Sequence, residues 1–175
     1  MKVNSKISNH CKQLRLPAIN EQVKQLADQA SAAGISYLAF AENLLEVEIK
    51  YRNQKDQLRK IKTARLPGKH DLQGYDCSLV EGMPSVRLEQ LKELTWPDQN
   101  FNLIIMGPNG IGKSYLAAGL CHHAIEGGYW AYFRPMEQIM NMLKTKDQSR
   151  SAMVDYRRLL KAHLIVMDDI SCRFF

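Results

Sequence analysis

A chain of 175 residues with 45% apolar content has room for one core of ordinary size plus an appendage, and no apolar run approaches membrane-spanning length. Its net charge of +6 is uneven: residues 1–70 carry 13 Lys/Arg against 6 Asp/Glu, whereas residues 71–175 carry 11 against 12. Cys11, Cys77, Cys121 and Cys172 lack both Cys-x-x-Cys and Cys/His ligand spacing, and the polar start MKVNSKISNHCK lacks a signal-peptide core, so reduced, mostly buried thiols in a cytoplasmic protein are expected.

Residues 4–16 are predicted to form a short helix with Ile7, Cys11 and Leu14 on one face. Pro17 opens a second helix that carries Ile19, Val23 and Leu26 and stops at Gly34. Ser36 is an N-cap for a long third helix, whose Leu38, Phe40, Leu44, Leu45, Val47 and Ile49 predict a wide apolar face on which the first two helices pack as a small bundle. Beyond Ile49 the same helix turns basic: Lys50, Arg52, Lys55, Arg59, Lys60, Lys62, Arg65 and Lys69 face the single acid Asp56. Spacings of three to five residues give a positive stripe able to follow phosphates, with nucleic acid preferred to a membrane because no Trp- or Phe-rich amphipathic face accompanies the charge. The alternative is a solvated helix face.

Leu66-Pro67-Gly68 breaks this helix, and a domain boundary is expected near residue 70. Residues 1–70 then form a helical domain, and residues 71–100 a linker anchored by Leu72 and Tyr75 with a short helix around Val86–Leu94. Residues 101–175 alternate strand and helix: strand Leu103–Met106, helix from Lys113 to about Ile125, strand Tyr129–Phe133, helices near 136–144 and 151–161, strand Leu164–Met167. Such alternation predicts an α/β unit whose parallel strands present ligand sites at their C-terminal ends.

The chemistry concentrates in FNLIIMGPNGIGKSYLAAGL, where Gly107, Pro108, Asn109, Gly110, Ile111, Gly112, Lys113 and Ser114 fit the phosphate-binding P-loop pattern. A buried strand at Leu103–Met106 is expected to deliver the loop, whose glycines let backbone amides approach a phosphate. The following helix turns its unsatisfied N–H groups to the same anion. Lys113 would reach the β- and γ-phosphates and Ser114 would ligate Mg²⁺. Downstream, Leu164-Ile165-Val166-Met167-Asp168-Asp169 has the Walker B form, predicting a strand buried on both faces with Asp168 as the Mg²⁺ partner. Asp169 occupies the place of the acid that orients the attacking water, although Glu is commoner there and reaches further.

Taken in order, Leu14-Arg15-Leu16-Pro17, Ser36-Tyr37, the basic helix into Ala64-Arg65-Leu66-Pro67, Leu72 to Tyr75-Asp76, the P-loop and Asp168-Asp169 resemble the IstB-like ATP-binding proteins. These AAA+ helpers of insertion-sequence transposases are relatives of DnaC-type helicase loaders. The resemblance implies a P-loop NTPase (AAA+) α/β sheet with flanking helices behind a small all-α domain, ATP and Mg²⁺ as cofactors, and DNA and the transposase of the same element as partners. It also implies a homo-oligomer in the full-length form. Carried over by position, Lys113 and Asp169 are the catalytic residues. After Asp169 the family usually continues with a hydrophobic residue, Gly and an aromatic, then roughly half a module more; here Ile170 is followed by Ser171-Cys172-Arg173-Phe174-Phe175 instead. An AAA+ unit incomplete at its C-terminus is therefore expected, with Leu103–Met106 either unpaired or paired with Leu164–Met167. A helicase loader, or an inactive remnant that keeps DNA or partner binding, are the alternatives.

Overall fold

The structure, a computed structural model, describes residues 5–68, 70–77 and 83–170. The chain divides into two compact units, Met1–Asp56 and Gln57–Phe175.

The first unit holds α1 (Ser5–Gln13), α2 (Pro17–Ala33) and the beginning of α3 (Tyr37–Ala64). Pro17 starts α2, where its missing N–H is one the helix could not pair anyway. Two of the remaining amides there are satisfied from a distance: the Glu48 carboxylate of α3, 4% exposed, accepts from the Ala18 and Ile19 N–H groups at 3.0 and 3.3 Å. A carboxylate at this positive helix end is favourable, and its burial is offset by Arg52, whose Nε donates to Glu48 Oε1 at 3.0 Å. Gly34 (φ 63°) ends α2 in the left-handed region, and Ser36 Oγ accepts from the Ala39 N–H at 3.2 Å to start α3 as predicted.

The wide apolar face expected on α3 resolves into two stripes. Phe40, Leu44 and Val47 are half-buried beside Glu48, whereas Leu38, Leu45 and Ile49 are 84%, 59% and 56% exposed. At 3.6 residues per turn these sets lie on opposite sides of the helix, so packing from one side covers only one of them. The anticipated bundle is one-sided.

In the second unit α3 ends at Ala64, with Arg65 (φ 59°) turning the chain ahead of Leu66-Pro67. A 3-10 turn at Leu72–Gly74, α4 (Ser85–Lys92) and the one-turn α5 (Thr95–Asp98) precede α6 (Lys113–Glu126). Then come β1 (Ala131–Pro135), α7 (Met136–Thr145), α8 (Arg150–Leu159) and β2 (Leu164–Asp168). The strands pair in parallel, Ala131 opposite Leu164 through Pro135 opposite Asp168. β1 begins two residues later than predicted because the α6 C-terminus is still closing there: the N–H groups of Gly128 and Tyr129 donate to the carbonyls of Ile125 and Ala124.

One core joins Ala118, Cys121, Ala124 and Ile125 of α6 to Ala131 and Phe133 of β1, to Ala64, and to Leu164 and Val166 of β2. Burial pushes the Cys121 thiol up to about 12, the state of an inert core thiol. A second cluster sets Leu116 and Leu120 of α6 against Leu88, Leu72, Tyr75 and Ile105. Leu72 anchors the linker as anticipated, and closely: a Cβ at Gly119 would fall 2.3 Å from Leu72 Cδ2.

Two expectations of burial are corrected. Leu103–Met106 takes the unpaired of its two expected outcomes, joining no ladder among the described residues, but it is not a buried strand: Ile105 is half-buried, while Leu103, Ile104 and Met106 are 37%, 78% and 85% exposed. A strand exists only through hydrogen-bonding neighbours, and the edge of β2 does not take it up. Nor is β2 buried on both faces: Ile165 and Met167 point away from the core at 37% and 50% exposure, because no second layer of described residues covers that side. No helix among the described residues is long and apolar enough to cross a membrane.

Candidate nucleotide site

The P-loop is positioned by α6, whose N-terminal face meets the loop and whose buried face fixes it to the core. Gly110 (φ 84°) and Gly112 (φ 92°) hold conformations that side chains disfavour, and Gly112 is the N-cap residue of α6, its carbonyl accepting from the Leu116 N–H at 2.9 Å. The first amides of α6 are thereby left directed out of the helix toward the loop.

Two polar contacts give the site its shape. Lys113 Nζ donates to the carbonyls of Gly107 and Pro108 at 2.9 and 2.7 Å, folding the ammonium over the loop that precedes it. Ser114 Oγ donates to Asp168 Oδ1 at 2.9 Å, which joins the start of α6 to the C-terminal end of β2 across 54 residues of sequence. Hydroxyl and carboxylate therefore meet at one point, as two oxygen donors to a hard divalent cation must. Asp169 follows at φ 54°, exposed and outside the strand.

Sequence reasoning gave Tyr75 only as an anchor and passed over Tyr115. In the structure Tyr75 Cε2 lies 3.5 Å from where a Gly112 Cβ would stand, and the two tyrosine rings are 5.6 Å apart. Tyr115 hydroxyl donates to the Asp71 carbonyl, so the linker is fastened to the first turn of α6 beside the loop. Desolvation, then the Cys77 charge, raises the Tyr75 pKa. The signal available in the sequence was the aromatic immediately after Lys113-Ser114 and its match in the linker, which pattern reading has no rule to pair.

The predicted basic residues have varied surroundings. Lys50 pairs with Glu46 at 3.0 Å, Arg52 holds Glu48 and donates to the Arg15 carbonyl at 2.7 Å, and Lys55 lies over the Tyr51 ring. In the second unit Arg59 and Lys60 both stand 5.2 Å from the Trp130 ring centre, and Lys60 Nζ donates to the Gly128 carbonyl at 2.7 Å. Lys62 is exposed, Arg65 meets Asp155 at 3.2 Å, and Lys69 lies outside the described residues. His122 and His123 stand near Glu126, and the described residues hold no group of three or more metal-ligating side chains.

A family model described as IstB-like ATP binding protein matches residues 9–175. The chain belongs to this family. Among its relatives, one from Bacteroides fragilis, named as an IS21-like insertion-sequence ATP-binding protein, is 38% identical over 97% of this chain and 64% of its own length. A second, from Bacteroides fragilis strain YCH46 and of like name, is 35% identical over 90% of this chain and 79% of its own. One from Geobacillus stearothermophilus, named for insertion sequence IS5376, is 29% identical over 96% of this chain and 67% of its own. The chain thus spans about two thirds of the length of two of these IstB-like relatives. The family fold is that of a P-loop NTPase, and the α/β arrangement of α6, β1 and β2 agrees with it.

Proposed function

We propose that this IstB-like chain binds ATP with Mg²⁺ at residues 107–114 and Asp168, and serves as the DNA-binding helper of the transposase encoded by the same insertion element. The observation that carries the nucleotide part is the Ser114–Asp168 hydrogen bond, because it unites two separately recognised motifs at the mouth of one loop. Names that combine ATP binding with an insertion sequence, borne by all the relatives above, favour the transposase helper over a helicase loader.

The residues divide the work. Amides from Asn109 to Ser114 and the α6 N-terminus receive phosphate oxygens. Lys113 exchanges the Gly107 and Pro108 carbonyls for β- and γ-phosphate oxygens, a change of partner within reach of its flexible stem. Ser114 and Asp168 would hold Mg²⁺, which when bound neutralises charge on the phosphates. Asp169, one residue beyond, would orient the attacking water. The basic residues from Lys50 to Lys69 supply DNA contacts.

A fluorescent ATP analogue titrated into the 175-residue chain in Mg²⁺ tests the reading. Lys113→Ala should weaken binding at least about tenfold, as follows from losing charged hydrogen bonds worth about 1.5–3 kcal/mol. Equal affinity in wild type and Lys113→Ala would sink the assignment.

A further inference from the structure

In the second unit, several guanidinium groups crowd one carboxylate away from the P-loop motif. Asp155 on α8 accepts from Arg65 Nη2 at 3.2 Å and from Arg158 Nη1 at 3.1 Å. Arg150 joins Arg65 and Arg158 in lining an open depression of about 480 Å³, whose remaining walls are Ser151, Val154 and Asp155. Among the described residues the Arg150 side chain has no hydrogen-bond or ion-pair partner. Three positive charges thus surround one negative charge.

The Asp155 side chain is 22% exposed, while those of Arg65 and Arg158 are 56% and 48% exposed, so the acid is covered and the forks face water. Each guanidinium has five N–H donors and the recorded bond to Asp155 uses one. As an exposed ion pair this contributes little to stability, but a fork already held in place loses less freedom when it binds an anion. Arg134 adds to the charge from below: it lines an adjoining smaller cavity with Arg65 and Asp155, and its guanidinium is destabilised first by burial and then by Arg65. Asp155 therefore leaves the neighbourhood positive.

We propose that Arg65, Arg150 and Arg158, oriented by Asp155, form a second anion site that takes a phosphodiester group of a nucleic-acid backbone. The inference rests on the reading of this chain as a DNA-binding protein and deepens it, since Arg150 and Arg158 lie outside the basic helix that suggested DNA. Arginine forks match phosphate oxygens in pairs. The depression is open to solvent and walled by three guanidinium groups, whereas pockets for small organic ligands enclose most of the ligand's surface. Charge also continues beyond it: Arg59, Lys60 and Lys62 lie on the last turns of α3, just ahead of Arg65. An extended field suits repeated phosphates better than one isolated anion.

Fluorescence anisotropy of a labelled DNA duplex, measured over a salt series, tests this. Arg150→Gln removes a side chain with no internal partner and should weaken binding several-fold with the fold intact. Arg150→Gln with Arg158→Gln should weaken it at least about tenfold and reduce the slope of log K against log salt by roughly 2, as expected for two lost phosphate contacts. Binding of the ATP analogue to the same samples should be unchanged, which separates this site from the P-loop. Arg158→Lys, keeping charge but losing the fork, should fall between wild type and Arg158→Gln. Wild-type affinity and slope in the double variant would overturn the site while leaving DNA binding by other residues standing. Absence of DNA binding by the wild type would overturn both readings, and a double variant that keeps wild-type DNA binding but no longer binds a labelled poly-glutamate peptide bound by the wild type would overturn the site as proposed and reassign it to a protein partner.

Discussion

β1 and β2 lie side by side in perfect register, yet the more polar strand is the more deeply buried. β1, Ala-Tyr-Phe-Arg-Pro, keeps Tyr132, Phe133 and Arg134 at 3%, 6% and 4% exposure. β2, Leu-Ile-Val-Met-Asp, leaves Ile165 and Met167 open. Layers account for the difference. β1 has α6 on its core side and the end of α3 within reach of Arg134, which donates to the Ala64 and Thr63 carbonyls at 2.6 and 3.1 Å. Those carbonyls have no partner within their own helix, and the guanidinium both satisfies them and lies at the negative end of the dipole. Among the described residues β2 shares only the α6 side. Burial thus follows the number of covering layers, and a polar side chain is tolerated inside wherever a helix terminus needs it.

The comparison is sharpest at Phe133. Phe133→Ala should cost about 3–5 kcal/mol in urea unfolding, the range for removing a buried aromatic ring. Arg134→Met keeps much of the volume but orphans the α3 carbonyls, and should cost about 2–3 kcal/mol, as for a charged hydrogen bond lost in a buried place. Met167→Gln on the open face of β2 should change stability by no more than about 0.5 kcal/mol and should lower light scattering by exposing less apolar surface. A penalty at Met167 as large as that at Phe133 would show that both strands are covered alike and would break the comparison.

Local signals in the sequence were strong where one residue type has one mechanical use. Pro17, Gly34 and Ser36 marked helix ends, and the breaker after Ala64 and the glycines of the P-loop were equally readable. Ser114 and Asp168 were legible as chemistry, and the structure brings them together. What depended on distant neighbours was not legible. The run Leu103–Met106 has the composition of a core strand but no ladder, and the apolar residues of α3 were counted as one face when they form two. Arg134 and Glu48 cap helices far away in the chain, and the Arg65–Asp155 pair spans 90 residues, distances at which periodicity carries no information.

The central claim is that residues 107–114 and Asp168 act as one nucleotide site. The most direct measurement is the Mg²⁺ dependence of ATP-analogue binding in wild type, Ser114→Ala, Asp168→Asn and the double variant, each with Mg²⁺ and with EDTA. The account predicts that EDTA weakens wild-type binding, that either single change removes most of this dependence, and that the double variant is scarcely worse than either single one, as for two groups serving one ion. Undiminished Mg²⁺ dependence in Asp168→Asn, or fully additive losses, would contradict it.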